Sequence, residues 1–206
     1  VRRRCRWHWP SRWIRTGWRS GRSGHGWAAE GVLTLARLKQ HLHGLEAAEL
    51  GEVIVQLFGA SSDNKRLLTA LLEGDATSLR AQVNREIGKA FGAGSRLPTL
   101  KTAGLRAALR QYARVASPEA LMHAELDAVA AGIRCMAESG DLEESVSRSL
   151  ERLWAQALKR GLGLPEDEVP WTQLESVRHR SQGSGWGFSD EIEAAYQDFL
   201  AAWAGR

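Results

Sequence analysis

The sequence predicts an all-α protein, a compact bundle of about eight or nine helices built from antiparallel helical hairpins, behind an N-terminal extension that does not belong to the fold. Three observations predict it. From Thr34 onward apolar residues recur at spacings of three and four, the period of one helix face. Glycines close these periodic stretches, with Ser, Thr or Asp often placed to open the next, which is the punctuation of helix ends and starts. No stretch alternates apolar and polar residues as a strand would.

The first helix carries Leu35, Leu38, Leu42 and Leu45, with Thr34 as N-cap and Gly44 at its end. A second places Leu50, Val53, Leu57 and Phe58 on one face. A third, opened by Ser62 or Asp63, carries Leu67, Leu68, Leu71 and Leu72 and stops at Gly74. Asp75 or Thr77 caps the fourth, whose Leu79, Val83, Ile87 and Phe91 step by four before Gly92 and Gly94. The fifth runs over Leu105, Leu109 and Tyr112.

Ser117 followed by Pro118 starts the sixth helix, since proline suits the first helical position. Its Met122, Leu126, Val129, Ile133 and Met136 keep a 4, 3, 4, 3 rhythm up to Gly140, the seam of a helix packed along a neighbour. Asp141 restarts the chain into a seventh helix with Leu142, Val146, Leu150, Leu153 and Ala157 on one side, ending at Gly161 and Gly163 ahead of Pro165. An eighth covers about Trp171 to Ser181, and Ser189 caps a ninth with Ile192, Tyr196, Phe199 and Trp203 as its buried stripe. No repeat of helical-solenoid length is visible, which favours a closed bundle.

Residues 1–30 form the Arg/Trp-rich extension and 31–206 a single helical domain. Residues 1–28 hold eight arginines, five of the nine tryptophans and no acid. Taking those eight from the 28 basic residues leaves 20 against 24 acids, so a chain of formal charge +4 contains a helical region of charge −4. The extension has neither a helical nor a strand period and is expected to be disordered. Its composition is that of translated G+C-rich noncoding sequence, with Val32 as an alternative start. As protein it would serve as an arm, Arg on phosphates and Trp at a lipid interface or stacked on bases.

Two cysteines, Cys5 and Cys135, leave the helical region no internal disulfide partner, which points to a reducing, cytoplasmic setting. No apolar run reaches the roughly 18 residues of a membrane span. His41 and His43, two apart on a helix, point to different sides. There is no Glu-x-x-His or His-Glu-x-x-His, and no metal or cofactor is expected. Cys135, beside Met136 in an apolar stretch, reads as core.

Three stretches, Leu38 to Phe58 (LKQHLHGLEAAELGEVIVQLF), Ser139 to Trp154 (SGDLEESVSRSLERLW) and Gly185 to Phe188 (GWGF), together resemble an all-helical bacterial family known only as a domain of unknown function. The resemblance runs in order from about Leu33 to the C-terminus. It implies a helical fold, and no activity is carried over from it. The family pattern begins near Leu38-Lys39 and has no Arg/Trp leader, so residues 1–28 depart from it.

Two features stand out as candidate sites. Between Glu86 and Glu119 there is no acid, and Arg106, Arg110 and Arg114 step by four within this basic stretch, so they line one helix face able to meet an acidic protein partner or phosphates. The bland reading is a solvated face paired with acids of neighbouring helices. The loop Gly183 to Phe188 joins three glycines to two aromatics; Gly185, Trp186, Gly187 and Phe188 would hold a small ligand beside the next helix N-terminus, or simply anchor a tight turn. It lacks the Lys-Ser/Thr ending of a phosphate-binding loop and the third glycine of a dinucleotide fingerprint.

His123 with Asp127 and Glu175 with His179 are spaced to meet as acid/base pairs. The third and fourth helices have the outline of a helix-turn-helix, with Arg80, Asn84 and Arg85 as readers, although the charge of −4 counts against duplex DNA. The leading expectation is a non-enzymatic interaction or regulatory module acting through the arginine face. The alternatives are a small-ligand protein or enzyme at the Gly183 to Phe188 loop, and a nucleic-acid-binding helical protein.

Overall fold

Serine ahead of proline is a strong helix start because the proline ring lacks the amide hydrogen a first turn leaves unpaired, while serine accepts from an amide further on. In the computed structural model Ser117 Oγ accepts from the Ala120 amide at 3.1 Å and opens the longest helix, α6 (Pro118–Ser139). The structure describes residues 33–92, 97–140, 142–184 and 187–206. Residues 1–32, which include the Arg/Trp-rich extension, and Gly185 and Trp186 of the glycine loop lie outside them. Among the described residues there are nine α-helices, one short 3₁₀ turn at Glu166–Glu168 and no strand, so the all-helical class holds.

These residues belong to two compact units, one ending at Leu50 and one running Gly51–Arg206. The first holds α1 (Leu35–His43), capped by Thr34 as its sequence predicts, and the start of α2 (Ala47–Ala60). Neither helix buries a residue completely. In α2 the apolar residues surround the helix instead of forming one stripe, and Val55, Leu57 and Phe58 are 70%, 49% and 40% exposed.

The second unit holds the rest of α2, then α3 (Ser62–Glu73), α4 (Thr77–Phe91), α5 (Ala103–Tyr112), α6, α7 (Glu144–Gly161), α8 (Trp171–Ser181) and α9 (Phe188–Ala204). Helix α6 lies at its centre and packs against α4, α5, α7 and α8. Met122, Leu126, Val129, Ile133 and Met136 are all buried, as the rhythm predicts, and so is Cys135. The predicted stripe of α4 is buried in full. That of α9 is buried except for Trp203, which is half-buried.

Several boundaries differ locally. The cap of α3 is Ser61, whose hydroxyl accepts from the Asn64 amide at 3.1 Å, and Ser62 and Asp63 lie inside the first turn. Ser189 also lies inside a helix, because α9 already begins at Phe188, after Gly187 at a positive φ of 91°. Leu71 and Leu72 of α3 stay exposed, at 57% and 77%. Helix α5 stops at Tyr112, whose carbonyl accepts from the amides of Val115 and Ala116. Arg114 therefore sits in the turn beyond α5 and does not continue the face of Arg106 and Arg110.

Close approach of α6 and α7 depends on Gly132, where a methyl would come within 2.6 Å of Leu150 Cδ2 and also overlap Cδ1. Leu150 is fully buried, so its terminal methyls can move only by displacing other core side chains. Gly132→Ala is expected to destabilise by about 1–3 kcal/mol through overpacking, read as a lower urea midpoint. Leu150→Ala removes a fully buried leucine and is expected to cost about 2–5 kcal/mol by itself, and because it also removes the overlapping methyls the double variant is expected to lose less than the sum of the two. A midpoint unchanged in Gly132→Ala would show that the helices do not approach this closely.

Candidate functional site

Three helix faces converge on a cleft of about 320 Å³. Arg106, Leu109, Arg110 and Ala113 follow the three-four spacing along α5 and its cap; Leu121 and Glu125 come from α6; Ser149, Arg152, Leu153, Gln156 and Arg160 come from α7. The leucines form the floor and are core residues that keep a sliver of exposure, 6% at Leu109, 4% at Leu121 and 7% at Leu153. Four guanidiniums stand around this floor against one carboxylate.

The carboxylate is Glu125, 4% exposed. Arg160 grips it with two parallel bonds, Nε to Oε2 at 3.1 Å and Nη2 to Oε1 at 2.9 Å, the geometry in which a planar guanidinium matches a carboxylate. Burial pushes the Glu125 carboxyl above its ordinary range, and the Arg160 bonds and charge pull against that shift. The other three cations differ. Among the described residues Arg106, Arg110 and Arg152 make no ion pair, and Arg152 only donates its Nε to the Arg148 carbonyl of its own helix at 3.0 Å. All three are exposed.

Of the predicted arginine face, Arg106 and Arg110 line the cleft and Arg114 does not. Sequence reasoning missed Arg152, Arg160, Glu125 and Gln156. A signal for Glu125 exists, since it lies on α6 between Leu121 and Val129 and so falls on a buried face, but its partner is 35 residues away and has no local signature. In the glycine loop, Phe188 is buried at the start of α9 and Gly187 precedes it in the left-handed region; Gly185 and Trp186 lie outside the described residues.

The acid/base pairs resolve differently. His123 and Asp127 are joined through Gln173 of α8, with His123 Nδ1 2.7 Å from Gln173 Oε1 and Gln173 Nε2 donating to Asp127 Oδ1 at 2.7 Å, while Asp127 also pairs with Arg80 of α4. This network ties three helices together. Glu175 does not meet His179. It accepts from Tyr196 Oη at 2.5 Å and from Arg178 Nε at 3.0 Å, which lowers its pKa, while burial and then Glu175 push the Tyr196 hydroxyl up to about 12.

Arg80, held by Asp127, is no longer available to read a base, and the apolar stripe of α4 is committed to the core. The other two candidate readers, Asn84 and Arg85, are exposed, and a buried apolar stripe is common to a recognition helix and to any packed helix. Among the described residues no group of three His, Cys, Asp or Glu side chains is placed to hold a metal ion, and no helix is long and apolar enough to cross a membrane. The fold and site together define an all-helical bundle with a cation-rimmed, apolar-floored cleft. No protein-family profile, curated protein or solved structure matches the chain.

Proposed function

We propose that the helical region is a non-enzymatic interaction module that binds the acidic side chains of a protein partner at the cleft between α5, α6 and α7. The observation that carries this reading is the contrast among its arginines: Arg160 is neutralised by Glu125, whereas Arg106, Arg110 and Arg152 stand exposed around one apolar floor with no ion-pair partner among the described residues. Unpaired guanidiniums around a desolvated floor suit carboxylate recognition, because each can offer two parallel donors and the floor takes the stem of the acidic side chain.

The test is fluorescence anisotropy with a labelled peptide of alternating acidic and apolar residues at moderate salt. The triple variant Arg106→Glu/Arg110→Glu/Arg152→Glu is expected to weaken binding at least tenfold, as loss of roughly 1.4 kcal/mol or more would, with an unchanged melting temperature. Arg114→Glu, which lies outside the cleft, is expected to have the smaller effect. No binding by the unmodified protein, or equal binding by the triple variant, would overturn the proposal.

A further inference from the structure

The cleft has a direction. Its deep end holds the Arg160–Glu125 pair, in which the guanidinium already has its carboxylate and the two charges offset one another. A second anion entering there would meet the buried Glu125 carboxylate and a cation with its fork occupied. Its mouth holds Arg106, Arg110 and Arg152, which are exposed and have no ion pair among the described residues. Leu109, Leu121 and Leu153 line the same cleft and are 6%, 4% and 7% exposed. The favourable place for negative charge is therefore the rim, and the favourable place for apolar surface is the floor. A volume of about 320 Å³ falls at the lower end of the roughly 300–1,000 Å³ typical of small-molecule sites.

We propose that this cleft is a binding site for a small amphiphilic anion, an alkyl carboxylate or alkyl phosphate, held with its head on Arg106, Arg110 and Arg152 and its chain laid inward over Leu109, Leu121 and Leu153. The inference rests on the same cleft as the protein-binding reading and adds a ligand class that would compete with that partner. Carboxylate and phosphate heads share the chemistry of planar donor recognition, so both belong in the test.

The test is calorimetry on the full chain with acetate, butyrate, hexanoate, octanoate, octyl phosphate, inorganic phosphate and octanol, each below its aggregation threshold. Octanoate and octyl phosphate are expected to bind, and each methylene from butyrate upward to tighten binding by roughly fourfold until the floor is covered. Inorganic phosphate, acetate and octanol, which lack the body or the head, are expected to bind at least tenfold more weakly. Arg110→Glu at the rim and Gln156→Glu, an exposed cleft position, are each expected to weaken octanoate at least tenfold. Two variants are used so that misfolding of one does not decide the outcome.

Octanoate binding no better than acetate overturns the inference, as does octanoate binding that both variants leave unchanged. The acidic peptide separates the two readings. If the peptide binds through the arginines and octanoate does not, the amphiphile site fails and the interaction module stands. If octanoate binds at the cleft and the peptide does not, the protein-partner reading fails alone.

Discussion

Arg160→Met is expected to destabilise the protein by about 3 kcal/mol, because it leaves the Glu125 carboxylate buried without its only ion-pair partner among the described residues. The figure is the lower end of the range for breaking a buried pair, since the Arg160 side chain is itself 28% exposed and water screens part of the interaction. At this chain length that corresponds to a melting temperature lower by roughly 6–12 °C. The double variant Glu125→Leu/Arg160→Met is expected to recover most of the loss, because apolar replacements of a buried pair are often neutral or stabilising.

The pH dependence follows from the direction of the Glu125 shift. Its carboxyl lies above the ordinary glutamate range when folded, so its contribution favours folding most fully below the ordinary value and is lost as pH rises through the raised one. Arg160 opposes that loss. Without it the deficit should be largest at neutral pH and shrink as acidification protonates the carboxyl. Urea midpoints of the two proteins across this range check the sign; a deficit that grows on acidification would show that the carboxyl is not the group left uncompensated.

Trp154→Ala is expected to cost about 3–5 kcal/mol, the range for removing a large aromatic from a packed interior. Trp154 is 1% exposed and the largest fully buried side chain. Its indole nitrogen donates to the Ile192 carbonyl at 3.0 Å, and its ring lies 6.2 Å from that of Tyr196, so one side chain joins α7 to α9 by area, geometry and a hydrogen bond. Trp154→Phe keeps most of the area and loses the donor, and is expected to cost less than the alanine change. Circular dichroism with urea titration measures both. Equal losses in the two variants would mean that the indole volume contributes little beyond its hydrogen bond.

Trp154 also marks where periodicity stops being informative. Reading α7 as one stripe through Leu150, Leu153 and Ala157 accounts for the side against α6, and all three are buried. It leaves Trp154 unplaced, because a helix with neighbours on two sides buries two overlapping stripes, and α7 packs on both α6 and α9. The arginines behaved similarly. A step of four groups Arg106 with Arg110 for as long as the helix lasts, but the turn after Tyr112 removes Arg114 from that face.

By itself the sequence determined the helical class, the order of the nine described helices, most of their ends and the buried seam of α6. Those properties follow from local chemistry: proline and serine at a start, glycine at a stop, and a period that places apolar side chains on one face. Only the tertiary structure decided which arginines share a cleft, that Glu125 is the partner of Arg160, and that Asp127 reaches Gln173 and Arg80 instead of acting with His123 alone. These are meetings between residues 35 to 47 positions apart, set by how helix faces pack, and no spacing along one helix encodes them.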